Sequence, residues 1–382
     1  MSHFAHVPAG RSGWLPSRRV SHRLLVCGLL FGTLLALVGS VVPSAVQAEP
    51  ELRATYRISG TNFLKAFRDV VSEPRQWTVR IRRQHPRTER WTDAALGVIV
   101  RSDGLVITKA SEAIGPLRAK LSDRADEQVG AELIATDDVH DLALLQLDMT
   151  ELDPLPTVKW ARTVDGDLGD PRVGRWIVTP SIYLSPASVG IVSVPRRVIK
   201  RTELRGMLGV TFDRPAGNDQ TGGGRIVELV VDGPADLSGL VIGDTIVSVN
   251  NVQTPIYWIA VNEIKKYYPG DVVALRVKHE DGDSETIRVR LAQPNTRLLE
   301  AREKRFDMMN TLGGDLSERR GNFPAAIQHD SVLDPHDCGG AAVDLDGNAI
   351  GINIARAGRT ESLMLPADVS RKAIDRLLRK VR

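Results

Sequence analysis

The run Pro335-His336-Asp337-Cys338-Gly339-Gly340 carries the one thiol found outside the first 48 residues of this 382-residue chain, so nucleophilic chemistry is the first possibility to weigh. A thiol attacks more readily than a hydroxyl and is slightly ionised near pH 7 without help. Expelling an amine still needs a group that takes a proton and returns it. The imidazoles in reach of the main body are His85, His140, His279, His329 and His336. His336 lies two residues before Cys338 and His329 nine, and either is a candidate base. His140 precedes Asp141 on an expected strand, where adjacent side chains face opposite ways. Two other roles for Cys338 stand beside nucleophilic attack: a buried small apolar residue, or a redox sensor that forms dimers on oxidation.

Metal and phosphate chemistry find less support. Cys338 has no second cysteine to join it, and the histidines show no paired ligand spacing, so no metal and no cofactor are expected. The Gly222-Gly223-Gly224 run lacks the lysine and hydroxyl residue of a phosphate loop and reads as a turn.

These residues need a scaffold, and composition bounds it. The chain is 42% hydrophobic with 50 Lys+Arg against 47 Asp+Glu, too apolar for disorder and long enough for two or three cored domains. Its formal charge of +3 comes from the first 48 residues, which hold Arg11, Arg18, Arg19 and Arg23 and no acid. Without them the chain is close to neutral, and nothing draws it toward nucleic acid. The same 48 residues read as an export signal, with arginines ahead of an apolar run from Leu24 to Val42 and small residues ending at Ala48. Cleavage after Ala48 releases the body, whereas a retained run is long enough to anchor it in a membrane. Both place residues 49–382 in the periplasm or cell envelope.

Along that body, Phe63, Leu64, Phe67, Val70 and Val71 have the spacing of one short helix, within a lead-in at 49–76. Short apolar runs follow at Trp77–Ile81, Ala94–Val100, Gly104–Thr108, Asp141–Leu147, Val173–Pro180 and Ala187–Pro195, punctuated by turns, which predicts a mostly β barrel or sandwich. The basic stretch Arg196–Arg205 reads as a boundary. It opens a unit of about ninety residues, 201–295, with a helix near 258–267 and paired strands at 271–279 and 284–291. A charged, helix-favouring stretch at Asn295–Asn310 leads to a second β-rich block at 323–366 and a terminal amphipathic helix at 367–382, whose basic end suits its dipole.

Several of these stretches together resemble the HtrA/Deg family of trypsin-fold serine proteases. The segment PHDCGGAAVDLDGNAIGINIARAG (335–358) is similar to the family's nucleophile loop and its following Gly-Ile-Asn strand. FPAAIQHD (323–330), ALGVIVRSDGLVITKASEA (95–113) and TDDVHDLALLQLD (136–148) resemble its flanking stretches, and GMLGV (206–210) with DGPADLSGLVIGDTIVSVNN (232–251) resembles a PDZ domain. The resemblance implies a mostly β fold: a trypsin-like double β-barrel (77–200 and 296–382), an inserted PDZ domain at 201–295 and a short C-terminal helix. In the family the PDZ follows the complete protease domain, so its place before the nucleophile loop is a departure. Asp344-Leu345-Asp346-Gly347, which has the opening of a calcium loop, falls where the family has a hairpin turn.

Carried over residue by residue, the triad positions hold Ser111 for histidine, Asp141 for aspartate and Cys338 for serine. A serine hydroxyl cannot serve as the base. His336 stands where the oxyanion loop normally has glycine, so it either adopts strained angles or turns the peptide away. What survives is peptide binding: an extended segment beside Asn353, Ile354 and Ala355, and a C-terminal carboxylate at Met207, Leu208, Gly209 and Val210. The resemblance thus implies an exported peptide-binding pseudoprotease of envelope quality control. The alternative is an endopeptidase using Cys338 with another base. The implied partners are unfolded or C-terminal segments of envelope proteins, with homo-oligomers expected from the family.

Overall fold

Six short strands form the first barrel because turns interrupt every apolar run before it can lengthen: β1 (Thr78–Gln84), β2 (Trp91–Arg101), β3 (Leu105–Lys109), β4 (Leu117–Lys120), β5 (Val129–Asp137) and β6 (Leu142–Leu147). They close antiparallel in the order β1-β2-β3-β6-β5-β4. Closure leaves no free sheet edge, and Val79, Ile81, Val98, Ile107, Leu144 and Leu145, drawn from both faces of the sheet, are all wholly buried. In this computed structural model the described residues are 60–122, 127–162, 170–201, 204–214, 222–293 and 314–380, within a single compact unit, Ala54–Arg382. The export segment, the lead-in before residue 60 and the Asn295–Asn310 stretch lie outside them. No helix among the described residues is long and apolar enough to cross a membrane.

Strands β7 (Trp176–Thr179) and β8 (Ser188–Ile199) begin a second barrel, which the chain then leaves unfinished. Strand β8 continues through Arg196–Ile199, so the first four residues of the basic stretch are strand rather than boundary. It is held there by pairing with the later strand at Phe323 and Ala326. The chain next builds a separate sheet from β9 (Val210–Phe212), β10 (Gly224–Leu229), β11 (Thr245–Val249), β12 (Val252–Gln253), β13 (Val272–Lys278) and β14 (Ser284–Arg290), in the order β14-β13-β11-β10-β9 with β12 on β11. This sheet has its own core of Ile226, Leu240, Ile246, Val249, Ala260, Leu275 and Val289. Only then do β15 (Phe323–His329), β16 (Ala341–Val343), β17 (Ala349–Gly358) and β18 (Glu361–Pro366) close the second barrel, in the order β15-β18-β17-β16-β7-β8. The fold is a mostly β, trypsin-like double barrel with an α+β unit inserted in its second barrel.

Helices are few and short. The lead-in is two pieces, α1 (Thr61–Lys65) and α2 (Arg68–Val71), not one helix. The break falls at Phe67, whose ψ of 14° leaves the helical range. It lets Val71 enter the core while Phe63 and Phe67 meet the Trp176 ring at centroid distances of 6.3 and 5.5 Å. The inserted unit carries α3 (Pro234–Leu237) and α4 (Tyr257–Ile264). The last helix, α5 (Ala367–Arg379), buries Ser370, Ala373, Ile374 and Leu377, an i, i+3, i+4, i+7 stripe. Its basic end clamps to the first barrel: Arg376 reaches Asp137 at 2.9 Å and Lys380 donates to the Thr136 carbonyl at 3.1 Å.

Candidate functional site

Where a triad would place an imidazole, this chain builds a buried charge cluster. Strand β3 opens on three apolar residues and, after Thr108, ends at Lys109, whose side chain is fully buried. Its ammonium donates to Ser111 Oγ at 2.8 Å, and Ser111 Oγ donates on to Asp141 Oδ2 at 2.9 Å. The Ser111 backbone N–H donates to Asp141 Oδ1 at 2.8 Å. Asp141 takes a left-handed φ of 57° in the turn before β6, a conformation aspartate tolerates. The strand expected to begin at Asp141 therefore begins one residue later. His140 is in that turn, with its ring bonded to Asp137 at 3.0 Å, rather than on a strand opposite Asp141.

The cluster extends to residues that sequence reasoning missed. Lys109 Nζ lies 3.5 Å from Asp141 and 3.8 Å from Glu112, and Arg319 Nε lies 4.0 Å from Asp141. Arg290, at the end of β14 in the inserted unit, pairs with Glu112. Burial alone would raise the Glu112 carboxyl, yet the charges of Arg290, Lys109 and Arg83 hold it below its ordinary value. Charges this deep persist only when each has a partner. Lys109 and Ser111 have the spacing of a lysine–serine dyad, but both are wholly buried and the ammonium is committed to two carboxylates. The one sequence sign of this arrangement was a lysine ending an apolar strand two residues before Ser111. Its partners Asp141, Arg290 and Arg319 lie too far along the chain to be read from it.

Cys338 is equally enclosed. Its side chain is fully buried, and burial pushes the thiol up to about 12 against the opposing pull of Lys109 and Ser317. Among the described residues Sγ meets Ser317 Oγ at 3.8 Å and the Asp334 carbonyl at 3.9 Å, and no imidazole. His336 is half exposed, with Nε2 turned toward Asp334 and Asp337 at 3.9 and 4.0 Å. His329 is buried on β15, and burial lowers it to about 4 against a weaker upward pull from Asn353, so the ring is neutral near pH 7. Neither histidine is placed to exchange a proton with Cys338.

The nucleophile loop resolves the two options left for His336. Pro335–Asp337 forms a 3₁₀ turn, and His336 avoids left-handed angles. The Cys338 N–H donates back to the Pro335 carbonyl at 3.2 Å, and the Asp337 N–H to the Asp334 carbonyl at 2.9 Å. An oxyanion hole needs the amide at Cys338 free and aimed outward, and here it is spent inside the turn. Arg80 of β1 fixes this form, donating to the His336 carbonyl at 2.5 Å and to Asp337 Oδ1 at 2.8 Å. Gly339 keeps its glycine for a steric reason: its φ is +96°, and a Cβ would stand 2.3 Å from the Leu96 carbonyl oxygen. Asp334, His336 and Asp337 offer ligand atoms within 4.8 Å of one another. Arg80 on Asp337 and Arg356, 3.7 Å from Asp334, already supply the positive charge that a cation would bring there.

Two expected peptide contacts need correction. Asn353, Ile354 and Ala355 are fully buried in β17, not open beside a groove. Asn353 and Ala355 pair with Met364 and Leu363 of β18, and Asn353 exchanges backbone bonds with Gly339 and Gly340 on the other side at 2.7 and 2.8 Å. One residue on, Ser317 covers the edge: its N–H donates to the Arg356 carbonyl at 3.0 Å, and its Oγ accepts from the Arg356 N–H at 3.0 Å. In the inserted unit, the Met207 N–H is not free for a carboxylate, because it donates to the Ala292 carbonyl at 2.9 Å. Leu208, Gly209 and Val210 do line a groove of about 340 Å³ with Phe212, Val261 and Ile264, between edge strand β9 and α4.

No protein-family model matches this chain. Over 84 residues it is 36% identical to a probable periplasmic serine endoprotease, DegP-like, of Rickettsia conorii. That stretch covers 22% of this chain and 15% of the relative's length. The similarity relates part of this chain to an HtrA-like serine endoprotease.

Proposed function

We propose that this chain is an exported HtrA/Deg-like pseudoprotease, whose inserted unit is a PDZ domain binding C-terminal or extended segments of envelope proteins without cutting them. The observation that carries this reading is the state of Cys338: a protonated, enclosed thiol whose own amide is consumed by the Pro335 carbonyl. A protease needs an ionisable nucleophile, a base and an oxyanion donor, and all three positions are committed elsewhere. The rival reading, an endopeptidase using Cys338, has no imidazole beside the sulfur among the described residues to support it. Envelope location is proposed from the arginine-led apolar run before Ala48 and the periplasmic name of the partial relative.

The inserted unit's groove has the parts that peptide capture requires. Strand β9 is a sheet edge to which a peptide can add, and the apolar side chains of α4 face it across the groove. The Leu208 and Gly209 N–H groups have no acceptor among the described residues, and so are available to a carboxylate. Calorimetric titration of the full chain with ten-residue peptides ending in an apolar residue is expected to give roughly micromolar binding. Amidating the peptide C-terminus should weaken it at least tenfold. Absence of heat with every free-carboxylate peptide, or binding indifferent to amidation, would contradict the PDZ assignment.

A further inference from the structure

The residues that cover the edge of β17 behave as a bound peptide. From Leu316 to Arg320 burial alternates, with Ser317 and Arg319 inside and Leu316, Glu318 and Arg320 partly exposed. That alternation matches the period of an extended segment, which here bends at Glu318 and is not itself a strand. Ser317 pairs with Arg356 through its N–H and Oγ, both at 3.0 Å, and sets its hydroxyl 3.8 Å from the Cys338 sulfur. Two residues on, the Arg319 guanidinium crosses to the first barrel, donating to the Asp138 and Val139 carbonyls at 2.5 and 3.3 Å and standing 4.0 Å from Asp141. The Arg319 carbonyl accepts from Lys109 at 3.4 Å. The segment thus spans the mouth between the barrels, touching each former triad position or its immediate neighbour.

We propose that residues 315–319 are an intramolecular ligand of the barrel cleft, and that this cleft accepts an extended peptide with a small hydroxyl residue followed two positions later by a cation. The strap supplies the pattern. Ser317 is small enough to face Cys338 without displacing it, and the cation at 319 answers two carbonyls and a carboxylate. Of the two bonds to Arg356, the one from the Ser317 N–H is independent of side chain, and the one accepted by Ser317 Oγ requires a hydroxyl, so position 317 contributes to both affinity and selection.

The strap is also wired to the inserted unit. Gly270, in the turn before β13, packs so closely that a Cβ there would lie 2.2 Å from the Arg319 Cα, and its φ of +83° suits glycine. Arg320 donates to Gln293 Oε1 at 2.9 Å, and the Gln293 N–H donates to Glu318 at 3.3 Å. A shift of the inserted unit would therefore pull at Arg319 and Arg320. The inference rests on the peptide-binding reading above, but it concerns the barrel cleft and not the groove beside β9.

The test reads Cys338 as a reporter. Full-length protein and Arg319→Ala are exposed to iodoacetamide at pH 8, and alkylation of the Cys338 peptide is followed by mass spectrometry. Loss of the Arg319 contacts should speed alkylation about tenfold or more, in a variant whose cooperative thermal transition shows it folded at the assay temperature. A synthetic peptide of residues 314–321 added to the variant should slow it again, whereas the same peptide with Arg319 replaced by glutamate should not. Hydrogen exchange on the unmodified protein supplies a measurement that does not depend on the variant folding. The Ser317 amide should exchange at least about a hundredfold faster than the Leu363 and Met364 amides of the barrel ladder. Unchanged alkylation in Arg319→Ala, no effect of the added peptide, or Ser317 exchanging together with the ladder would each overturn the proposal. The PDZ reading is decided separately, by peptide titration of the groove beside β9, so the two can fail independently.

Discussion

Replacing Lys109 by methionine is expected to destabilise the protein by about 3–5 kcal/mol, the cost of leaving buried charge without its partner. Methionine fills a similar volume, so little of the loss comes from a cavity. What remains is electrostatic: Asp141 and Glu112 lose the ammonium at 3.5 and 3.8 Å, and Ser111 Oγ loses its donor at 2.8 Å. The denaturation midpoint should fall with an unchanged slope. Adding Asp141→Asn should recover at least about 1 kcal/mol, because the two residues share one network and their losses are not additive. A loss below about 1 kcal/mol in Lys109→Met, or strict additivity in the pair, would mean that water reaches the cluster.

Native Cys338 is expected to react with iodoacetamide about a thousandfold more slowly than the same residue in urea-unfolded protein. Ionisation alone accounts for that factor, since the thiol rises from 9.0 to about 12, and only the thiolate attacks. The rate should climb about tenfold per pH unit between 7 and 10, without the plateau near 8.5 that an exposed cysteine gives. Native and unfolded rates within tenfold of each other at pH 7 would mean that the thiol is neither buried nor protonated as described. A plateau near neutral pH would revive a paired, activated nucleophile.

Much of the architecture was legible because it depends on local signals. Apolar runs cut by turns, such as the Ser102-Asp103-Gly104 turn between β2 and β3, announce short barrel strands. Gly339 and Gly340 fix the nucleophile loop's close approach to Leu96. The break at Phe67 was hidden because Phe63, Phe67 and Val71 share a helical period whether or not the backbone stays helical between them. The site itself was half legible. Ser111 and Cys338 stood out against the residues the resemblance leads one to expect, but the contacts around them did not. Lys109 is held by Asp141, Glu112 and Ser111, and the rest of its cluster, Arg319 and Arg290, arrives from the return segment and from the inserted unit, residues so distant that they leave no mark in a local pattern. Likewise, nothing near Asn353 in sequence reveals that Ser317 covers the edge beside it.

These contacts form one consistent set. Buried Asp141 needs a cation, and Lys109 supplies it from the end of β3. With the Cys338 amide turned inward, the loop needs a clamp, and Arg80 provides it from β1. The strap then closes the space where a substrate would lie. Each of these contacts satisfies a buried polar group that would otherwise stand unpaired.

Hydrolysis of unfolded casein by residues 49–382, beside Cys338→Ala and under reducing conditions, tests the central claim most directly. Both preparations must be free of contaminating protease. Neither protein is expected to release fragments, because a protonated thiol, a base position held by Ser111 and a consumed amide leave no route to an acyl-enzyme. Fragments from the parent protein, absent with Cys338→Ala, would make Cys338 a working nucleophile and contradict the pseudoprotease assignment.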